Sequence, residues 1–223
     1  MYAERPSVVH GATAWRSEGA GPSRVLPDGC LDLLWLDGQL VVAGPDTTAF
    51  VSESGGDGVV GLRFASGIGP AVFGVPADEL ADQRVPLVDL WSGPVVRVLT
   101  DRLATATDQL AVLESVATDR LQQDTPDPAM LEVARSLAAG TGVGTAADRV
   151  GLSERQLRRR SYAAFGYGPK TLGRILRLGR ALDLARAGTA YASCAAQAGY
   201  ADQAHLARDV RALTGTTLGD LVG

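Results

Sequence analysis

The feature that most constrains this chain is a pattern that occurs twice between Gly144 and Gly215. The first copy is Ala147-Asp-Arg-Val-Gly151 followed by Leu-Ser-Glu-Arg-Gln-Leu-Arg-Arg-Arg160. The second is Ala195-Ala-Gln-Ala-Gly199 followed by Tyr-Ala-Asp-Gln-Ala-His-Leu-Ala-Arg208. Each sets an Ala-x-x-x-Gly before a new helix start and a Leu-x-Arg. Alanine permits a close helix crossing, and glycine ends a helix by adopting positive φ at little steric cost. Ser153 or Asp202 then caps the helix that follows. That second helix is apolar on one face, through Leu157 and Ala164 in one copy and Leu206, Val210 and Leu213 in the other. Its opposite face projects Arg155, Arg158 and Arg159, or Gln203, Ala204, Ala207 and Arg208. This is the build of a helix-turn-helix, whose second helix can lie in a DNA major groove with its N-terminal half against base edges. Two such units joined by one amphipathic helix are a far more specific signal than one.

The arrangement resembles the DNA-binding domain of AraC-type transcriptional regulators. The resemblance is carried by Gly151-Leu-Ser-Glu-Arg-Gln-Leu-Arg-Arg, Phe165-Gly-Tyr-Gly-Pro-Lys170, Arg177-Leu-Gly-Arg-Ala-Leu182, Ala198-Gly-Tyr-Ala-Asp-Gln-Ala-His-Leu206 and Leu213-Thr-Gly215, and it covers roughly residues 131–222. It implies that both second helices enter successive major grooves on one face of the duplex, about one helical turn apart. The base-reading positions it implies are Arg155, Arg158 and Arg159, then Gln203, Ala204, Ala207 and Arg208, with Ser153 at the first cap. His205 fits either a DNA-backbone contact or helix packing. Arginine suits guanine, glutamine suits adenine, and small residues meet a thymine methyl. Ser161 and Val210 stand where this family usually has Phe, and Thr217 where it often has Pro.

Charge supports the same partner. The chain of 223 residues carries a net −4, which taken whole argues against double-stranded promoter DNA. From Ala129 onward, however, there are 13 basic and 7 acidic residues, against 8 and 18 before it. An acidic half joined to a basic half is the asymmetry expected of a sensor fused to a DNA reader.

The predicted fold is α+β with two domains. Residues 1–122 form a β-rich sensor or dimerisation domain, residues 123–128 a linker, and residues 129–223 an all-α double helix-turn-helix. In the first domain, strands are expected over 7–16, 31–36, 39–43, 59–64 and 71–75. Asp37-Gly38 serves as a hairpin turn, and Gly55-Gly56 and Ser66-Gly67 bracket the strand at 59–64. Short strands at this density suggest a small barrel or sandwich. Apolar stripes predict helices over 94–106 and 108–122, fit to pack on the sheet or to form a dimer contact. Gln123-Asp-Thr-Pro-Asp-Pro128 cannot continue either helix. Leu26-Pro-Asp-Gly-Cys-Leu-Asp-Leu-Leu-Trp35, Val42-Ala-Gly-Pro-Asp46 and Gly74-Val-Pro-Ala-Asp-Glu-Leu80 resemble the N-terminal domain of a bacterial subgroup of AraC-type regulators, which implies a compact sensor-like β domain.

Candidates for ligand binding in that domain are Trp15, Cys30, Asp32, Trp35, Arg63 and Trp91. The two-residue strand period puts Cys30, Asp32 and Leu34 on one face, with Leu33 and Trp35 on the other. A carboxylate on an apolar strand requires a partner, and Arg63 on another strand can supply it. The pair suits a structural ion pair or a polar anchor in a ligand pocket; the tryptophans suit core packing or pocket walls. No catalytic set is expected: His10 and His205 are the only histidines, no nucleophile-elbow, P-loop or zinc-protease motif occurs, and Cys30 has no histidine near it. Neither a metal nor a cofactor is expected. No apolar run approaches the ~20 residues of a membrane span, and the N-terminus lacks a signal-peptide pattern, so a cytoplasmic location is expected. The expectation is a DNA-binding transcription regulator modulated by a small-molecule effector. Two alternatives stay open: an N-terminal domain that only forms a homodimer or contacts RNA polymerase, and a small-molecule-processing enzyme fused to a DNA reader.

Overall fold

The computed structural model describes residues 1–18, 23–52 and 58–223; the Gly55-Gly56 turn lies outside the described residues. Among the described residues, strands come first or among the early helices: β1 (Tyr2–Pro6), β2 (Ala12–Ser17), β3 (Ser23–Val25), β4 (Leu31–Leu36), β5 (Gln39–Ala43), β6 (Phe50–Ser52), β7 (Val59–Phe64) and β8 (Arg84–Pro86). Among the described residues the α-helices are α1 (Gly69–Phe73), α2 (Gly93–Thr105), α3 (Gln109–Gln123), α4 (Pro128–Ala138), α5 (Val143–Arg149), α6 (Glu154–Phe165), α7 (Pro169–Arg186), α8 (Tyr191–Ala198), α9 (Gln203–Thr214) and α10 (Leu218–Val222).

Six strands form one antiparallel sheet in the order β1-β2-β7-β4-β5-β8, and β3 pairs with β6 as a separate ribbon. The Asp37-Gly38 turn joins β4 to β5 with positive φ at both residues, 49° and 74°, the combination a two-residue hairpin requires. Alternation along β4 buries Leu31, Leu33 and Trp35. They face α1, α2 and α3 in a core with Leu62, Phe64, Val72, Leu99, Leu103 and Leu113. Phe73 of α1 meets Phe64 edge-on, 5.7 Å between ring centres, a geometry worth ~0.5–1.5 kcal/mol beyond area burial. The sheet's other face carries Trp15, Asp32 and Arg63, and near β8 the Arg84 guanidinium stacks on Phe50 of the ribbon at 4.3 Å. The expected barrel or sandwich is therefore an incomplete two-layer form, one sheet and a short ribbon. Helices supply the main core, so a full second sheet is not needed.

One expected strand is a helix. Residues 71–75 fall in and just after α1, because Pro70 sits in its first turn, where a missing N–H costs least, and Gly74 closes it at φ 77°.

In the helical part, Met130, Val133, Leu137, Leu157, Phe165, Leu172, Ile175, Leu178, Leu206 and Val210 share a second core. Val210 is wholly buried, and Ser161 is buried with its hydroxyl lacking a hydrogen-bond partner among the described residues. Thr217 serves as an N-cap, its hydroxyl accepting from Asp220 N while the Asp220 carboxylate accepts from Thr217 N. The two cores exchange residues: Leu26 packs on the helical core, and Leu131 on the sheet core.

Candidate nucleic-acid interface

Each helix-turn-helix unit forms as its residue types dictate. In the first, α5 leads through Gly151 (φ 65°) to Ser153, whose hydroxyl accepts from Gln156 N at 3.3 Å while Gln156 Oε1 accepts from Ser153 N at 3.0 Å. This reciprocal box fixes the entry of α6. Leu157, Ser161, Ala164 and Phe165 are buried, leaving Arg155, Arg158 and Arg159 exposed and free of ion pairs among the described residues. In the second, α8 ends on Gly199 (φ 87°), and the Asp202 carboxylate accepts from His205 N at 2.6 Å to open α9. Leu206, Asp209, Val210 and Leu213 are buried, while Gln203, Ala204, Ala207 and Arg208 are exposed. His205 packs on the turn: its ring meets Tyr200 edge-on at 5.1 Å and Nδ1 accepts from Ala201 N at 3.4 Å.

The arginines of α7 hold the two units together. Asp209 of α9, almost wholly buried, pairs with Arg174 and, at 3.4 Å, with Arg177, which also stacks on Tyr200 at 4.4 Å. Arg180 donates to the carbonyls of Leu137, Ala138 and Ala198, joining the end of α4 to the end of α8. These long-range partners could not be read from charge alone.

The sheet half holds both α6 and α9 by their C-terminal ends. Gly166, at φ 82° after α6, lies where an added Cβ would sit 2.6 Å from Pro45 Cγ and 3.1 Å from the Ala77 carbonyl oxygen. Beside it, Tyr167 is 4% exposed, its hydroxyl without a hydrogen-bond partner among the described residues, close to the Gly29 turn. Burial, and after it the nearby Asp28 and Cys30, push the Tyr167 phenol well up. At the end of α9, Ala49 N donates to Leu213 O at 2.7 Å and Arg24 donates to Thr214 O at 2.6 Å. Asp127, which caps α4, also forms an ion pair with Arg160 of α6.

Of the six ligand candidates, four gather on the outer sheet face. Trp15 Nε1 donates to Asp32 Oδ1 at 2.7 Å, Arg63 Nε lies 3.3 Å from both Asp32 and Asp28, and Cys30 adjoins them. Burial pushes the Asp32 carboxyl up to about 6 against the opposing pull of Arg63. It also raises the Cys30 thiol, helped by Asp28 and Asp32, and burial with the Glu4 hydrogen bond takes Tyr2, whose ring lies 5.9 Å from Trp15, to about 12. Trp35 points into the core on the opposite face. Trp91 is remote from both, donating to Phe73 O at 3.0 Å under Arg120, in the wall of a cleft of about 760 Å³ between α2 and α3. Sequence periodicity separated Trp35 from Asp32; it gave no sign of Asp28 or Tyr167.

A family model described as a helix-turn-helix domain matches residues 146–222, and one described as a domain of unknown function, DUF6597, matches residues 8–86. No curated relative matches the sequence. Among solved structures, the fold is similar to ToxT from Vibrio cholerae, with a TM-score of 0.50 and 8% identity over 94% of this chain and 97% of that one. A structure of ToxT from V. cholerae O395 matches with a TM-score of 0.48 and 10% identity, covering 95% and 98%. One of wild-type ToxT from strain SCE256 with unsaturated fatty acid bound matches at 0.48 and 10%, covering 95% and 94%.

Proposed function

We propose that the chain, whose residues 146–222 match a helix-turn-helix model and whose motifs resemble those of AraC-type regulators, reads promoter DNA through two helices and adjusts that reading to a small-molecule effector. In this reading, residues 1–122 are the sensor, 123–128 the linker and 129–223 the DNA reader of a cytoplasmic regulator. The observation that carries it is the pair of capped helices, α6 and α9, whose N-terminal halves are exposed while their apolar faces are buried in one core. Arg155, Arg158 and Arg159 supply the guanine-reading half, and Gln203, Ala204, Ala207 and Arg208 a more lightly charged half. The effector is taken on the outer sheet face, where Trp15 offers a ring and Arg63 a cation beside the partly buried Asp32 carboxyl.

Selection of bound duplexes from a random pool by the full-length protein tests the reading. The expected product is two short elements about one helical turn apart, the first containing guanine. Failure to enrich any site would overturn it. For the effector, a thermal-shift screen should return a compound that raises stability by RT ln(1 + [L]/Kd) and loses its effect in Arg63→Gln. An unchanged response in that variant would move the effector elsewhere.

A further inference from the structure

Between the two helix-turn-helix units lies a cleft of about 580 Å³ that the base-reading faces do not use. One wall is the segment leading into α5, the other is the end of α8, and α7 runs along the floor. On α7, Lys170, Arg174, Arg177 and Arg180 follow one another at i, i+4, i+7 and i+10, so all four lie on one face.

That face keeps most of its charge. Arg174 and Arg177 share the single carboxylate of Asp209. Arg180 is fixed by carbonyl oxygens, at 3.3 Å from Leu137, 2.7 Å from Ala138 and 3.2 Å from Ala198. Carbonyls satisfy its N–H groups and leave the charge uncancelled. Lys170 is exposed and has no ion-pair partner among the described residues, and Arg177 Nε is buried without an acceptor. Burial lowers the pKa of Arg180, with the Arg177 cation adding to the shift against the opposing pull of Tyr200.

We infer that this cleft takes a phosphate group, that of the DNA strand passing between the two grooves occupied by α6 and α9. The inference rests on the two-helix reading of DNA proposed above. A duplex engaged in successive major grooves carries a stretch of backbone between the two readers, and the cleft is bounded by both units. Guanidinium forks and a lysine point charge are the groups that match phosphate oxygens. A free phosphorylated small molecule would present the same chemistry, and the test separates the two sources.

The experiment uses the full-length protein and its selected site. Lys170→Gln should weaken binding to every sequence alike and lower the slope of log K against log salt by about 0.9, one phosphate contact. Gly173→Glu places a carboxylate on the cleft floor and should weaken binding by about tenfold or more by the same loss of phosphate attraction. Gly173→Ala, whose methyl would meet Leu137 Cδ2 at an ordinary 3.7 Å, should bind like the parent. Ethylation of phosphates between the two elements should block the parent and should cost Lys170→Gln less, because one of its phosphate contacts is already gone. A site still selected, with salt slope and ethylation pattern unchanged in both charge variants, overturns the inference alone. If inorganic phosphate stabilises the DNA-free parent, and Lys170→Gln loses that effect at an unchanged salt slope, the cleft serves a free anion and the DNA assignment falls. If the parent selects no site, the reading of function falls with it.

Discussion

The two helices proposed to read DNA are built alike and held differently. Both α6 and α9 run 12 residues, open on a capped turn and end on a glycine of positive φ. At its outer end α6 offers three arginines, whereas α9 offers Gln203, two alanines and Arg208. At the inner end, α6 is wedged by close packing of Gly166 on Pro45 and Ala77, while α9 is tethered by two hydrogen bonds, from Ala49 and Arg24. The lesson is a division of labour. The helix with three exposed arginines is held by close backbone packing and the other by hydrogen bonds, so under the proposed reading the sheet half packs most tightly on the more strongly charged helix.

The largest test of that contrast is a pair of glycine substitutions. Gly166→Val combines a left-handed backbone with overpacking and should cost about 3–4 kcal/mol of stability. Gly215→Val, at φ 72° with only the Arg24 guanidinium 3.5 Å away, should cost about 1–2 kcal/mol from strain. Urea denaturation of both variants decides the matter, and equal costs would remove the difference in mounting.

Next in size is pH. The Asp32 carboxyl titrates near 6 in the folded chain and near 3.9 when unfolded. Its raised value favours the protonated folded form, so its contribution is greatest below about pH 4 and declines as pH rises toward 6, by up to about 3 kcal/mol. Asp32→Asn should flatten the stability profile across that window, with Asp28 left to pair with Arg63. Because Asp28 and Cys30 flank the Gly29 turn under the end of α6, hydrogen exchange should report the loss there and not at α9. An equal change at both ends would break the contrast.

At the DNA, Arg159→Ala should cost about 1–3 kcal/mol of binding and relax preference in the first element. Gln203→Ala should cost about 1 kcal/mol and act only on the second. Selection with each variant shows which element blurs. The smallest effect is expected from Arg24→Gln, which removes one tether to Thr214 O and should cost about 0.5–1.5 kcal/mol. Its signature is faster amide exchange at the end of α9 with α6 unchanged.

Much of the helical part was legible because its signals are local. Ser153, Asp202, Gly151 and Gly199 mark caps and ends within a few residues of the elements they define, and the structure places each where its chemistry requires. The Asp37-Gly38 hairpin was legible for the same reason. Residues 71–75 misled because a short apolar run fits strand or helix, and the deciding features, Pro70 and Gly74, stand at its ends. The side of the sheet taken by Asp32 followed from period two, and its Arg63 partner from the need to satisfy a carboxylate. The meeting of Gly29 with Tyr167 and Leu172, or of Arg174 with Asp209, depends on how whole elements dock, and nothing local announces either.

The exchange of Leu26 and Leu131 between the two cores has a practical consequence for chimeras. A cut at residues 123–128 severs few bonds along the chain but strands each leucine without the surface it was shaped to fill. A graft that moves the DNA-reading helices onto a foreign sensor would therefore need the 26–30 loop as well, or a compensating redesign around Tyr167. With their seam matched in this way, unfolding of either half should be felt by the other as a single transition.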